Sequence, residues 1–303
     1  MAHWRLNEPE LAQASMLAAD NRLAAYLRCG EFKFGTWHEY GRAAVIREEA
    51  EALLGRPVSP LIDVVSLDTA RRQWATVRRW LNEGDRAGAE GRWTEAHDAY
   101  LNALHQPGFD WDTAESRRES DLASKMGVTF LLAGDYPNHA ELSRRLLARL
   151  AVLPDPTAAP VYAKAILARP TEASDEAVRG AAEWARTSEG EADFLAWVQG
   201  MAAYRTGDFT NALEVLPRAD GPGSLACEGG GLVFRAMALQ KLGRITEAQQ
   251  ILARAERLLA EPIKDHFGDS WWNLAYCQLA LDEARQLLGK TNAPIAKLTS
   301  TRR

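Results

Sequence analysis

Three segments of this 303-residue chain carry one pattern: a glycine, a bulky apolar residue two positions on, threonine next, and alanine two after that. They read Gly91-Arg-Trp93-Thr94-Glu-Ala96, Gly207-Asp-Phe209-Thr210-Asn-Ala212 and Gly243-Arg-Ile245-Thr246-Glu-Ala248. A looser copy begins Gly134-Asp-Tyr136-Pro137. The four glycines lie 43, 73 and 36 residues apart. The middle gap is about twice the last, so a degenerate copy is expected near residue 170.

Each position has a mechanical role. Glycine takes the left-handed conformation that stops a helix. The bulky residue plugs the corner between two helices. Threonine, or Asp135 followed by Pro137, caps and starts the next helix. Alanine lets that helix approach its antiparallel neighbour. Seven residues before the glycines stand Gly84, Gly127, Gly200 and Ala236, two helical turns back on one face. Nine residues after them come Tyr100, Ser143, Leu216 and Leu252, and twelve after come Ala103, Leu146, Ala219 and Ala255. Past Gly243, the residues Ile245, Ala248, Ile251, Leu252, Ala255, Leu258 and Leu259 form an apolar stripe at helical spacing.

Over about residues 70–260 this pattern resembles the tetratricopeptide repeat (TPR), whose helix–turn–helix units stack into a superhelix. The resemblance implies an all-α, TPR-like α-solenoid of antiparallel helix pairs, in which the first helix of each pair lines the concave surface. The copy at Gly134 departs from the family, with His139 where a small residue is preferred. The stretch from about 110 to 289 is also similar to the repeat region of large bacterial proteins that carry a serine/threonine kinase or a WD40 β-propeller. On that likeness Met1 would mark a fragment or detached module.

Residues 37–55 match 271–289 without a gap, six of nineteen positions being identical, with Trp37 facing Trp271 and Glu49 facing Glu283. Two helices of one design near the two ends suggest terminal caps, since solenoid ends need a polar outer face. The expected organisation is a helical segment over 1–60, helical repeats with a C-terminal capping helix over 61–289, and a disordered tail over 290–303. Leu61 to Val65 reads as a weak strand, and Asp68 as a cap for the helix after it.

A net charge of −5 argues against a nucleic-acid partner, which calls for a concentrated basic face. No apolar run approaches the ~18 residues of a membrane span, and a cytoplasmic location is expected. Cys29, Cys227 and Cys277 are too far apart for a metal pair or a disulfide framework. Zinc-protease, nucleophile-elbow, P-loop and kinase signatures are all absent, so no catalytic residue, metal or cofactor is expected. Gly229-Gly-Gly231 reads as a loop between repeats rather than an anion cradle, and Lys264-Asp-His266 with Asp269 as a solvated loop.

One helical face is suggestive. Steps of three to four from Trp197 give Met201, Tyr204 and Arg205, and the next repeat offers Gln240 and Lys241. An aromatic, Met and Arg surface suits a peptide groove; the competing reading places Trp197 and Met201 in the core between repeats. The expected function is a non-catalytic scaffold that binds a protein or peptide in the concave groove, with homo-oligomerisation as a further option. The alternatives are a regulatory or self-association segment of a multidomain kinase and a small-ligand sensor.

Overall fold

The computed structural model describes residues 64–109, 111, 121–152, 158–168, 176–188, 190–216, 224–260 and 270–289. Among them are eleven helices and no strand: α1 Val64–Ala89, α2 Trp93–Leu104, α3 Asp121–Leu132, α4 Tyr136–Val152, α5 Ala159–Leu167, α6 Glu176–Thr187, α7 Ala192–Arg205, α8 Phe209–Val215, α9 Leu225–Lys241, α10 Ile245–Leu259 and α11 Trp271–Leu287. The expected segment 1–60, the tail 290–303 and the Lys264–His266 loop lie outside the described residues. Val64 and Val65 open α1 instead of ending a strand, which puts Asp68 inside that helix and not at its cap.

The four turn glycines behave as their spacing predicts. Gly91, Gly134, Gly207 and Gly243 have φ of 71°, 75°, 86° and 76°. At each, the following residue donates its N–H five residues back: Arg92 to Ala87, Asp135 to Phe130, Asp208 to Ala203 and Arg244 to Leu239, at 2.8–2.9 Å. This is the Schellman closure, which satisfies carbonyls orphaned at a helix end.

The start of the next helix differs from expectation. Thr94, Thr210 and Thr246 are the second residues of their helices, not caps. The residue after glycine takes the cap position, and where it is Asp its side chain caps the helix; Arg244 occupies the position without capping through its side chain. Asp208 accepts from the Asn211 N–H at 3.2 Å, and Asp135 from the Asn138 N–H at 3.1 Å. Nor does the bulky residue always plug a corner, since Tyr136 and Ile245 are about half exposed.

The chain divides into two compact units, residues 1–82 with 99–119 and residues 83–98 with 120–303, and α1 and α2 each pass through both. In the first, Trp74, Val77 and Leu81 are buried along one stripe of α1, as are Tyr100 and Ala103 of α2. The turn after α2 lies against α1, where a Cβ on Gly108 would come within 2.6 Å of the Gln73 Cβ.

In the second unit α3 packs on α4, α5 on α6, α7 on α8 and α9 on α10. The odd helices also touch in series: α3 on α5, α5 on α7, α7 on α9. The α5–α6 pair brackets residue 170, where spacing placed a degenerate copy. Small and large positions interlock across a pair. A Cβ on Gly200 of α7 would sit 2.3 Å from Leu216, the residue nine places after Gly207. His139, in place of a small residue, is buried and donates through Nε2 to the Ala165 carbonyl of α5 at 3.0 Å.

His97 of α2 ties that helix to the turn after α3. Its Nδ1 lies 2.9 Å from Asp98 and its Nε2 2.8 Å from Asp135. Both ring nitrogens face carboxylates, the arrangement of an imidazolium donating twice. Burial opposes the charge, but the two carboxylates outweigh it and raise the His97 pKa.

Candidate functional site

Helix α11 packs on α9 and α10 and also reaches α3, far back along the chain. Its buried residues are Leu274, Ala275, Tyr276, Cys277, Ala280, Leu281, Ala284 and Arg285, which go most of the way round the helix. Only enclosure on more than one side gives that pattern.

Its contacts run along the whole row of odd helices. At the start Trp271 stacks 6.2 Å from Trp93, against Gly88, where any Cβ would strike the indole. The ring of Trp272 lies 4.4 Å from Nζ of Lys125 on α3, which also pairs with Asp85 at 3.3 Å. Lys164 of α5 donates to the Asn273 side-chain oxygen. The Tyr276 hydroxyl donates to the Ser124 carbonyl of α3 at 2.7 Å. The Cys277 thiol points at the Ala226 carbonyl of α9, 3.2 Å away. Near the end Glu283 takes both terminal nitrogens of Arg205 from α7, at 2.5 and 2.6 Å, and Arg285 reaches Glu256 of α10 at 3.0 Å.

The floor under α11 is therefore cationic. Lys125, Lys164 and Arg205 come from three odd helices in succession and are 7%, 1% and 5% exposed. Buried charges need partners, and each finds some. Arg205 spends its Nε on the Leu167 carbonyl at 2.9 Å and lies over the rings of Tyr204 and Phe234. Lys164 sits 5.0 to 5.5 Å from the ring centres of Phe194, Trp197 and Tyr276. Burial pushes its ammonium down to about 8, against the field of Asp121. Burial likewise drives the Tyr276 phenol far above its usual range.

A lysine of that acidity can serve as a base or nucleophile when substrate reaches it. Here three rings and an amide enclose its Nζ. Among the described residues no group of three or more His, Cys, Asp or Glu could hold a metal ion, and no helix is long and apolar enough to cross a membrane.

The six residues singled out from the sequence fall as follows. Trp197, Met201, Tyr204 and Arg205 are all buried on α7; Gln240 of α9 is half-buried and Lys241 exposed. Trp197 lies under Lys164 with its Nε1 lacking a hydrogen-bond partner, Tyr204 packs on Phe209 and Phe234, and Arg205 is clamped by α11. The structure brings Trp197 and Arg205 together with three residues that spacing did not reveal: Lys164, Tyr276 and Glu283.

Gly229, Gly230 and Gly231 are neither loop nor cradle. All three lie buried inside α9, where a Cβ on Gly229 would meet Leu259 at 2.5 Å and one on Gly230 would meet the Trp197 ring at 2.6 Å. Close approach, not a turn, demands glycine at 229 and 230.

No family model, curated protein or solved structure matches the chain.

Proposed function

We propose that the protein is a non-catalytic scaffold, a TPR-like stack of helix pairs whose odd helices form a groove that accepts a helical segment of a protein partner. The observation that carries the reading is α11 itself. One helix packs on α3 and α9 and is reached by Lys164 of α5 and Arg205 of α7, its own side chains meeting Ser124, Lys164, Arg205 and Ala226. A row of helices that seats a helix this way already has the features of helix-in-groove recognition: small residues for close approach, aromatic walls and charges that set register. Within this reading Trp197, Met201, Tyr204 and Arg205 build the floor, and Gln240 and Lys241 lie toward its α9 end.

The test uses the full-length chain as bait in lysate of the source cell, followed by hydrogen exchange on the captured complex. A partner that leaves α3, α5, α7 and α9 protected while α11 loses protection supports the scaffold. A partner that protects only surfaces away from these helices overturns the groove.

A further inference from the structure

The three cations beneath α11 are answered unequally. Arg205 receives a carboxylate, Glu283, on both terminal nitrogens. Lys125 has Asp85 beside it and the Trp272 ring above it. Lys164 is the most deeply buried of the three, yet α11 brings it a neutral amide oxygen, that of Asn273. A charge out of water is held best by an opposite charge, so the resident helix is an imperfect match to the floor at this point. The low value of the Lys164 ammonium agrees: Asp121 acts on it, but burial wins.

The rest of the seat is specific in shape. Positions 273, 276, 277, 280, 283 and 284 share one helical face. Cys277, Ala280 and Ala284 are 1%, 4% and 0% exposed, so nothing larger fits there without movement. Asn273 and Glu283 are ten residues apart, about 15 Å along a helix, and they address cations on α5 and α7.

We propose that α11 is a resident occupant, and that the partner it excludes is an acidic amphipathic helix with carboxylates at both the Asn273 and Glu283 positions. Small residues fill the positions of Cys277, Ala280 and Ala284. This rests on the scaffold reading above and adds the partner's chemistry: charge complementarity to Lys164 and Arg205 makes such a helix a better ligand than the chain's own. The groove is then closed by default and opened by competition, and only a helix with the second carboxylate gains enough to displace α11.

The experiment uses fluorescein-labelled peptides of residues 270–289, one with Asn273 and one with Asn273→Asp. They are titrated by anisotropy, under reducing conditions, into the full-length wild type and into full-length Glu283→Gln and Asn273→Asp chains shown by circular dichroism to be folded. Glu283→Gln weakens the hold of the resident helix; Asn273→Asp strengthens it. The expected result is binding to the Glu283→Gln chain at least tenfold tighter for the Asp peptide than for the Asn peptide. Binding of the Asp peptide to the Asn273→Asp chain should be weaker than to wild type. Equal affinity of the two peptides overturns the second carboxylate and leaves the scaffold standing. No binding of either peptide to any chain overturns the scaffold reading as well, because α11 is then ordinary core.

Discussion

Helices α10 and α11 are near neighbours in sequence and similar in length, and they are used in opposite ways. In α10 the buried residues are Ala248, Leu252 and Ala255, a single stripe facing α9, while Arg244 and Glu247 pair in solvent. In α11 buried residues occupy most of the circumference, and its polar groups reach Lys164, Arg205, Ser124 and Glu256. A helix buried along a single stripe is held mainly by area, and α10 adds to it the pair of Glu256 with Arg285. One laid across several others must satisfy the charges it covers, and its specificity resides in them.

The contrast can be broken most forcefully at Tyr276. Replacing it by Ala should destabilise the protein by about 3–5 kcal/mol, from lost ring packing and an orphaned Ser124 carbonyl; chemical denaturation measures this, and a loss under 1 kcal/mol would place α11 outside the core. Next comes Glu283→Gln, expected to cost about 2 kcal/mol because a buried guanidinium loses its counter-charge. On the α10 side, Gly243→Val meets no atom within 4 Å and suffers only from its φ of 76°. A loss of about 1–2 kcal/mol is expected from that conformation, and an unchanged denaturation midpoint would remove the turn from the account.

A gentler probe is pH. Lys164 in the folded protein titrates near 8, below the usual value of an unfolded lysine, about 10.4. Between those values the unfolded chain binds more protons, so stability due to this group rises with pH from 8 upward; below 8 its full penalty is present. The Tm of wild type should climb between pH 7 and 9 relative to Lys164→Met; parallel profiles would show that Lys164 does not titrate there. The smallest effect belongs to Glu247→Gln on α10, whose pair with Arg244 is solvent-screened. No measurable change in Tm is expected, and any clear drop would mean that this exposed pair helps to hold α10.

The elements legible in the sequence are those set by local backbone chemistry. Gly91, Gly134, Gly207 and Gly243 announce their turns because only glycine takes a positive φ cheaply, and the alternation of Gly200 with Leu216 follows at fixed distance. The α5–α6 pair shows through its spacing alone. What stayed hidden depends on partners remote in sequence. Arg205 meets Glu283, Lys164 meets Asn273 and Tyr276 meets Ser124 at separations of 78, 109 and 152 residues, and no period links such positions. The face from Trp197 to Arg205 stood out as a surface, yet nothing local tells a groove from the underside of another helix. Gly229 and Gly230 show the same limit: glycine required by a neighbour's bulk looks the same in sequence as glycine required by a turn.

The two buried cysteines have a practical consequence. Cys227 lies on α9 and Cys277 on α11, both enclosed and neither in a disulfide. A thiol reagent reaches a sulfur only when the structure admits it. If α11 leaves its seat as proposed, the rate at which Cys277 is alkylated reports those departures, readable by mass spectrometry without any engineered label. On the proposed reading, a compound or partner that quickens that alkylation while the protein stays folded is displacing α11.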